Sequence, residues 1–153
     1  MKILFVCEGN SCRSVIAEHL FRRMLEKGNV QGVEVFSRGL DVRHFSTGFY
    51  TDKVMREEYG IDVSKHVPKE LNKEEGNAAD LILTMSNDQK ERARYYGWAT
   101  PDRTFTLSEY VGDSGAKAIR DPYGGTREEY VETAKRIEAY LLKLIDKVRL
   151  ENP

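Results

Sequence analysis

The sequence has little sulfur. Its only cysteines are Cys7 and Cys12. Two cysteines exclude a disulfide framework. They also supply too few closely spaced ligands for a structural zinc site, and the C-x-x-C spacing of thioredoxin-like redox proteins is absent. No apolar run approaches the roughly 20 residues a membrane span needs. The first one, Ile3–Val6, is also too short for a signal-peptide core and gives way to Cys7 and Glu8 at once. No charge sign dominates: 24 Lys and Arg stand against 25 Asp and Glu, a net charge of −1. A global basic field for nucleic acid or an anionic membrane is therefore excluded, although a local cluster of donors can still meet a small anion. Repeats, low-complexity segments and linkers are missing too. The expectation is a cytoplasmic protein with reduced thiols and no metal, cofactor, membrane or nucleic-acid partner.

What remains is an ordinary soluble composition, 40% apolar and 32% charged, over 153 residues. That length suits a single domain spanning 1–153 with a core of its own. Residues 2–7 read as a buried strand. From Ser14 the spacing of Ala17, Leu20, Phe21 and Met24 is helical, with Gly28 as the stop. Further strands are expected at 32–36, 79–86 and 104–107. Helices are expected over 51–60, after Ser86, and from about Thr126, where Tyr130, Ala134, Ile137, Leu141, Leu144 and Val148 form one stripe. Loops cover 37–50 and 108–126. Apolar strands alternating with helices predict a three-layer α/β/α domain around a four-stranded parallel sheet, flavodoxin-like in arrangement. Ligands of such folds sit at the carboxyl ends of the strands, which is where the first strand ends, at Cys7.

The stretch "ILFVCEGNSCRS", residues 3–14, thus joins a buried strand to a helix through a tight loop. Gly9 and Asn10 tolerate the positive φ such a turn needs. Inward-facing N–H groups would make an anion nest, and the helix N-terminus adds partial positive charge. The fork of Arg13 matches two oxygens of a phosphate. The same field favours a Cys7 thiolate, to which Ser14 Oγ can donate. A thiolate at the base of a phosphate site is placed for in-line attack and a phospho-cysteine intermediate. Arg13 and the N–H groups would stabilise the equatorial oxygens. The leaving group needs an acid. Asp121 in "RDPYGG" (120–125) is the candidate, since like-charge repulsion from bound phosphate favours its protonated form. Read alone, "DPYGG" is equally well a turn before the last helix.

"VCEGNSCRS" with the late "DPYGG" resembles the low-molecular-weight protein tyrosine phosphatase family along the whole chain. The resemblance implies Cys7 as nucleophile, Arg13 as phosphate clamp, Asp121 as general acid, and Asn10 and Ser14 as supports of the loop and thiolate. It implies that Glu8, Gly9, Ser11 and Cys12 complete the binding loop, and that Tyr123 walls the substrate. Cys12 matches a second loop cysteine that pairs reversibly with an oxidised nucleophile. The implied partners are a phosphorylated protein, and phosphate or other oxyanions in the loop; a monomer is expected. Two positions depart from the pattern. Val15 stands where Pro is usual, and Ser11 stands where phosphotyrosine members carry Ile or Leu. A small hydroxyl residue there is the mark of a bacterial phosphoarginine branch, which "TFTLSEYVGDSGAKAIRDPYGG" also resembles.

Phosphotyrosine is therefore the main reading and phosphoarginine the alternative. Arsenate reduction would need resolving cysteines beyond Cys12, and none follows it. An inactive phosphate-binding module would have lost Cys7 or Asp121. Among the remaining residues, Phe45 and Phe49 read equally as pocket wall or loop packing. His19 reads as a partly exposed helix residue, and His44, in the 37–50 loop, as a loop residue first and a pocket-lining residue second. Glu8 is expected to point to solvent, and the charged run at 68–77 to be a solvated face. Tyr95, Tyr96 and Trp98 are expected to close the end of the helix after Ser86.

Overall fold

A computed structural model describes residues 1–96, 98–115 and 118–151. Strand β1 (Lys2–Cys7) leads into helix α1 (Arg13–Lys27), then β2 (Glu34–Gly39) and α2 (Phe49–Tyr59). Next come α3 (Lys73–Ala78), β3 (Leu81–Thr84) and α4 (Asn87–Tyr95). The chain closes with β4 (Thr104–Thr106), α5 (Leu107–Tyr110) and α6 (Arg127–Glu151). The sheet has four parallel strands in the order β2-β1-β3-β4. The expected three-layer α/β architecture is the one observed.

Strand alternation builds the layers. Ile3, Phe5 and Cys7 of β1 face a large core shared with α1, α2 and α6. Leu4 and Val6 face a smaller one that includes Ala93 of α4, Leu71 and Ala99. Both faces of β1 are buried, so its apolar run is unbroken. The α6 stripe is buried as its spacing predicts, from Tyr130 through Ile137 and Leu144 to Val148.

Several boundaries move. β2 lies at 34–39 rather than 32–36, and β3 is shorter than the expected 79–86. The segment 68–77 is mostly exposed, as a charged run should be, but it is not shapeless. Glu70 bridges Gly39 beside β2, Leu71 is buried, and Asn72 caps α3 by accepting from the Glu75 N–H at 2.8 Å. Charge density concealed one apolar anchor and one cap. At the end of α4 the Tyr96 ring stacks on Trp98 at 4.8 Å, as expected of that aromatic group.

Candidate active site

The loop between β1 and α1 forms the floor of an open cavity of about 1030 Å³. Most of its carbonyls have partners in neighbouring segments of the protein. Leu40 N–H donates to Cys7 at 3.0 Å, Asp41 N–H to Glu8 at 2.8 Å, Gly48 N–H to Ser11 at 3.5 Å and Ile16 N–H to Cys12 at 2.9 Å. His66 Nε2 lies 3.2 Å from the Asn10 carbonyl. A trans peptide points its C=O and the following N–H in opposite directions, and no peptide here is cis. The N–H groups of Glu8, Gly9, Ser11, Cys12 and Arg13 therefore point opposite to those engaged carbonyls, an arrangement compatible with the nest expected of the loop.

Asn10 makes the turn. It is fully buried with φ 51°. Its amide donates to Ser14 Oγ at 2.8 Å and to Ser37 Oγ at 2.9 Å. Its Oδ1 accepts from the Lys69 N–H at 3.1 Å. Gly9, expected to share the positive φ, does not adopt it. The four contacts of the Asn10 side chain hold the left-handed turn at that residue alone. β2 comes so close beneath the loop that a Cβ on Gly39 would lie 2.9 Å from the Asn10 nitrogen.

Cys7 Sγ lies 2.9 Å from Ser14 Oγ. Ser14 already receives the Asn10 amide proton, so its own proton is free to go to sulfur. Both thiols are free and buried. Burial pushes the Cys12 thiol up to about 12, so at neutral pH it is protonated and unreactive.

Arg13 opens α1 and is buried. Its Nη1 donates to the Ile119 carbonyl at 2.9 Å, and its Nη2 lies 3.5 Å from Asp121 Oδ2. Ile119 is also tied to the end of β3, since its N–H donates to Met85 O at 3.1 Å. Asp121 is thereby carried, half-exposed, to the cavity that Cys7 lines 114 positions earlier in the chain. Its Oδ1 accepts from the Tyr123 N–H at 3.1 Å, and Gly124 takes φ 79°. The turn reading of "DPYGG" holds, and the same turn sets Asp121 at the cavity.

Cys7, Glu8, Gly9, Ser11, Cys12, Arg13, Asp121 and Tyr123 all line the cavity, whereas Asn10 and Ser14 support it from behind. Phe45, Phe49 and Tyr123 are strongly exposed at its rim, and His44 stands 6.0 Å from the Tyr123 ring. His44 thus belongs to the wall. Glu8 does not run free into solvent: Arg92 of α4 holds it bidentately at 2.6 and 3.0 Å. Sequence reading missed Arg92, Ser37, His66 and Gly39, which carry no local signal.

The comparisons with known proteins agree with this geometry. The profile of the family described as "Low molecular weight phosphotyrosine protein phosphatase" matches residues 2–153. The low molecular weight protein-tyrosine-phosphatase PtpB of Staphylococcus aureus is 34% identical over 146 residues, 95% of this chain and 98% of that protein. The protein-arginine-phosphatase of Bacillus subtilis (strain 168) is 32% identical over 150 residues, 97% of each. A solved structure of the YwlE arginine phosphatase, a mutant with a phosphorylated active-site serine, superposes with a TM-score of 0.89. It is 31% identical, over 97% of this chain and 96% of that one.

Proposed function

Because this chain belongs to the low molecular weight phosphotyrosine protein phosphatase family, we propose that it hydrolyses phosphotyrosine in protein substrates through a phospho-cysteine on Cys7. The proposal treats 1–153 as one catalytic domain. The observation that carries it is the Cys7–Ser14 contact at 2.9 Å, at the floor of a cavity that also receives Asp121.

In the first step Cys7 Sγ attacks phosphorus and the bond to the leaving oxygen breaks. Asp121 gives that oxygen its proton. Arg13 leaves its 3.5 Å contact with Asp121 to fork two equatorial oxygens, and the loop N–H groups take the remaining charge. In the second step Asp121, now a carboxylate, takes a proton from water. The water oxygen attacks phosphorus, the S–P bond breaks, and phosphate and thiolate are regenerated. Phe45, Phe49, His44 and Tyr123 supply flat apolar faces for a phenyl ring, which supports phosphotyrosine.

One observation favours phosphoarginine. Ser11 lines the cavity with a short side chain, which leaves width for a planar guanidinium. A branched aliphatic residue there would narrow it. The deciding experiment is catalytic efficiency on matched phosphotyrosine and phosphoarginine peptides, with Cys7→Ser as blank. A phosphotyrosine preference supports the main reading. A phosphoarginine preference reversed by Ser11→Ile establishes the alternative. Wild-type activity equal to the blank on both rejects the phosphatase mechanism.

A further inference from the structure

Two histidines that the sequence leaves far apart meet behind the catalytic loop. His66 Nδ1 lies 3.7 Å from Glu18 Oε2, and His19 Nε2 lies 3.9 Å from the same oxygen. One ligand atom from each of the three residues falls within 4.8 Å of the others. The imidazoles meet edge to face, 6.0 Å between centroids.

The hydrogen bonding around this cluster is incomplete. His66 Nε2 faces two acceptors, the Asn10 carbonyl at 3.2 Å and Asn10 Oδ1 at 3.1 Å. It must donate, so Nε2 carries the proton. In the neutral ring Nδ1 then turns a lone pair toward a carboxylate oxygen, Glu18 Oε2, 3.7 Å away. His19 Nε2 is buried and makes no hydrogen bond.

We propose that Glu18, His19 and His66 form a site for one zinc-like divalent transition metal, bound through Glu18 Oε2, His19 Nε2 and His66 Nδ1 with water in the open position. Two imidazoles and a carboxylate are a zinc-type donor set, whereas magnesium and calcium prefer oxygen alone. Zinc bonds of 2.0–2.1 Å place tetrahedral ligand atoms roughly 3.3 Å apart, so the 3.7 and 3.9 Å separations from Glu18 Oε2 need to close by about half an ångström. The two imidazole nitrogens, within 4.8 Å of each other, need to close by up to about 1.5 Å, a shift that side-chain rotation must supply.

The supporting hydrogen bonds are already made. Ser37 Oγ donates to Glu18 Oε2 at 2.6 Å, and Arg22 to Glu18 Oε1 at 2.7 Å. His66 presents its other N–H to Asn10, as metal-bound histidines usually do toward a carbonyl. The cationic groups facing the cluster are Arg22 and Arg38, and they moderate the affinity. The metal would be one imidazole away from Asn10, and so from the turn that shapes the phosphate loop.

The test is calorimetric titration of zinc chloride into the Cys7→Ser/Cys12→Ser protein, in which no thiolate can take the metal, with and without His19→Ala. The expected result is one zinc per chain, weakened at least about 100-fold by His19→Ala, the upper end of the effect of losing even a supporting partner. In the wild-type background His19→Ala should leave phosphatase turnover unchanged. Cobalt(II) absorption of the same thiol-free protein gives a second reading: a tetrahedral nitrogen and oxygen spectrum that His19→Ala abolishes supports the site. No zinc uptake by the thiol-free protein, uptake indifferent to His19→Ala, or a cobalt spectrum unchanged by His19→Ala each overturns it.

Discussion

Arg13 holds the loop of Asp121 from two sides at once: Nη1 on the Ile119 carbonyl at 2.9 Å and Nη2 on Asp121 Oδ2 at 3.5 Å. The proposed phosphate clamp thereby also positions the proposed acid. In the proposed mechanism the guanidinium exchanges one anionic partner, Asp121, for another, the phosphate, and so frees the carboxyl to face the leaving group.

Asp121→Asn keeps the shape of that turn but removes the proton. Steady-state kinetics on an aryl phosphate should show kcat reduced by about a hundred- to ten-thousand-fold, the usual share of general acid catalysis. Vanadate affinity should stay near the wild-type value. An equal loss of vanadate binding would mean that Asp121 shapes the loop and supplies no proton.

Gly39→Ala tests the contact between β2 and the loop. The added methyl meets the Asn10 nitrogen and the Glu8 oxygen at 2.9 Å, and both are backbone atoms that cannot swing aside. Urea unfolding should show a loss of about 1–3 kcal/mol, typical of overpacking. Turnover should fall further than stability does, because the displaced atoms belong to the phosphate loop.

Cys12 gives a pH signature. Its thiol is raised from an ordinary 9.0 to about 12. A raised value favours the folded state below 9, and that contribution is lost as pH climbs from about 9 to about 12, where the unfolded chain ionises first. Thermal unfolding across this window should fall more steeply for wild type than for Cys12→Ala. Iodoacetamide at pH 7–8 should modify Cys7 alone, as read by peptide mass, and phosphate should protect it.

Arg92→Ala frees Glu8 at the cavity edge, where its charge repels a phosphorylated substrate. KM for an anionic phosphopeptide should rise by about fivefold, the equivalent of roughly 1 kcal/mol, with kcat unchanged and the effect shrinking at high salt. Glu8→Gln in the same background should restore KM. Loss of kcat instead would show that the pair holds the loop in shape.

The order of strands and helices, the parallel sheet and the loop from Cys7 to Arg13 were legible in the amino-acid sequence because they rest on local signals: buried apolar runs, helical spacing and residues suited to a tight turn. Asp121 was legible as a turn residue from "DPYGG", and the acid role proposed for it rests on resemblance. Tertiary structure alone decided how the loop is braced. Ser37, His66, Lys69 and Arg92 come from β2, the segment after α2, and α4, and they reach the loop across 27 to 84 positions. A hydrogen bond between distant side chains leaves no periodicity in either segment, so nothing in "EVF" or "SKH" announces it. The same reason hid the meeting of Glu18, His19 and His66. It also placed the positive φ on Asn10 rather than Gly9: the backbone freedom of glycine is visible in a sequence, but the four partners that hold an asparagine side chain exist only once the sheet has brought them together.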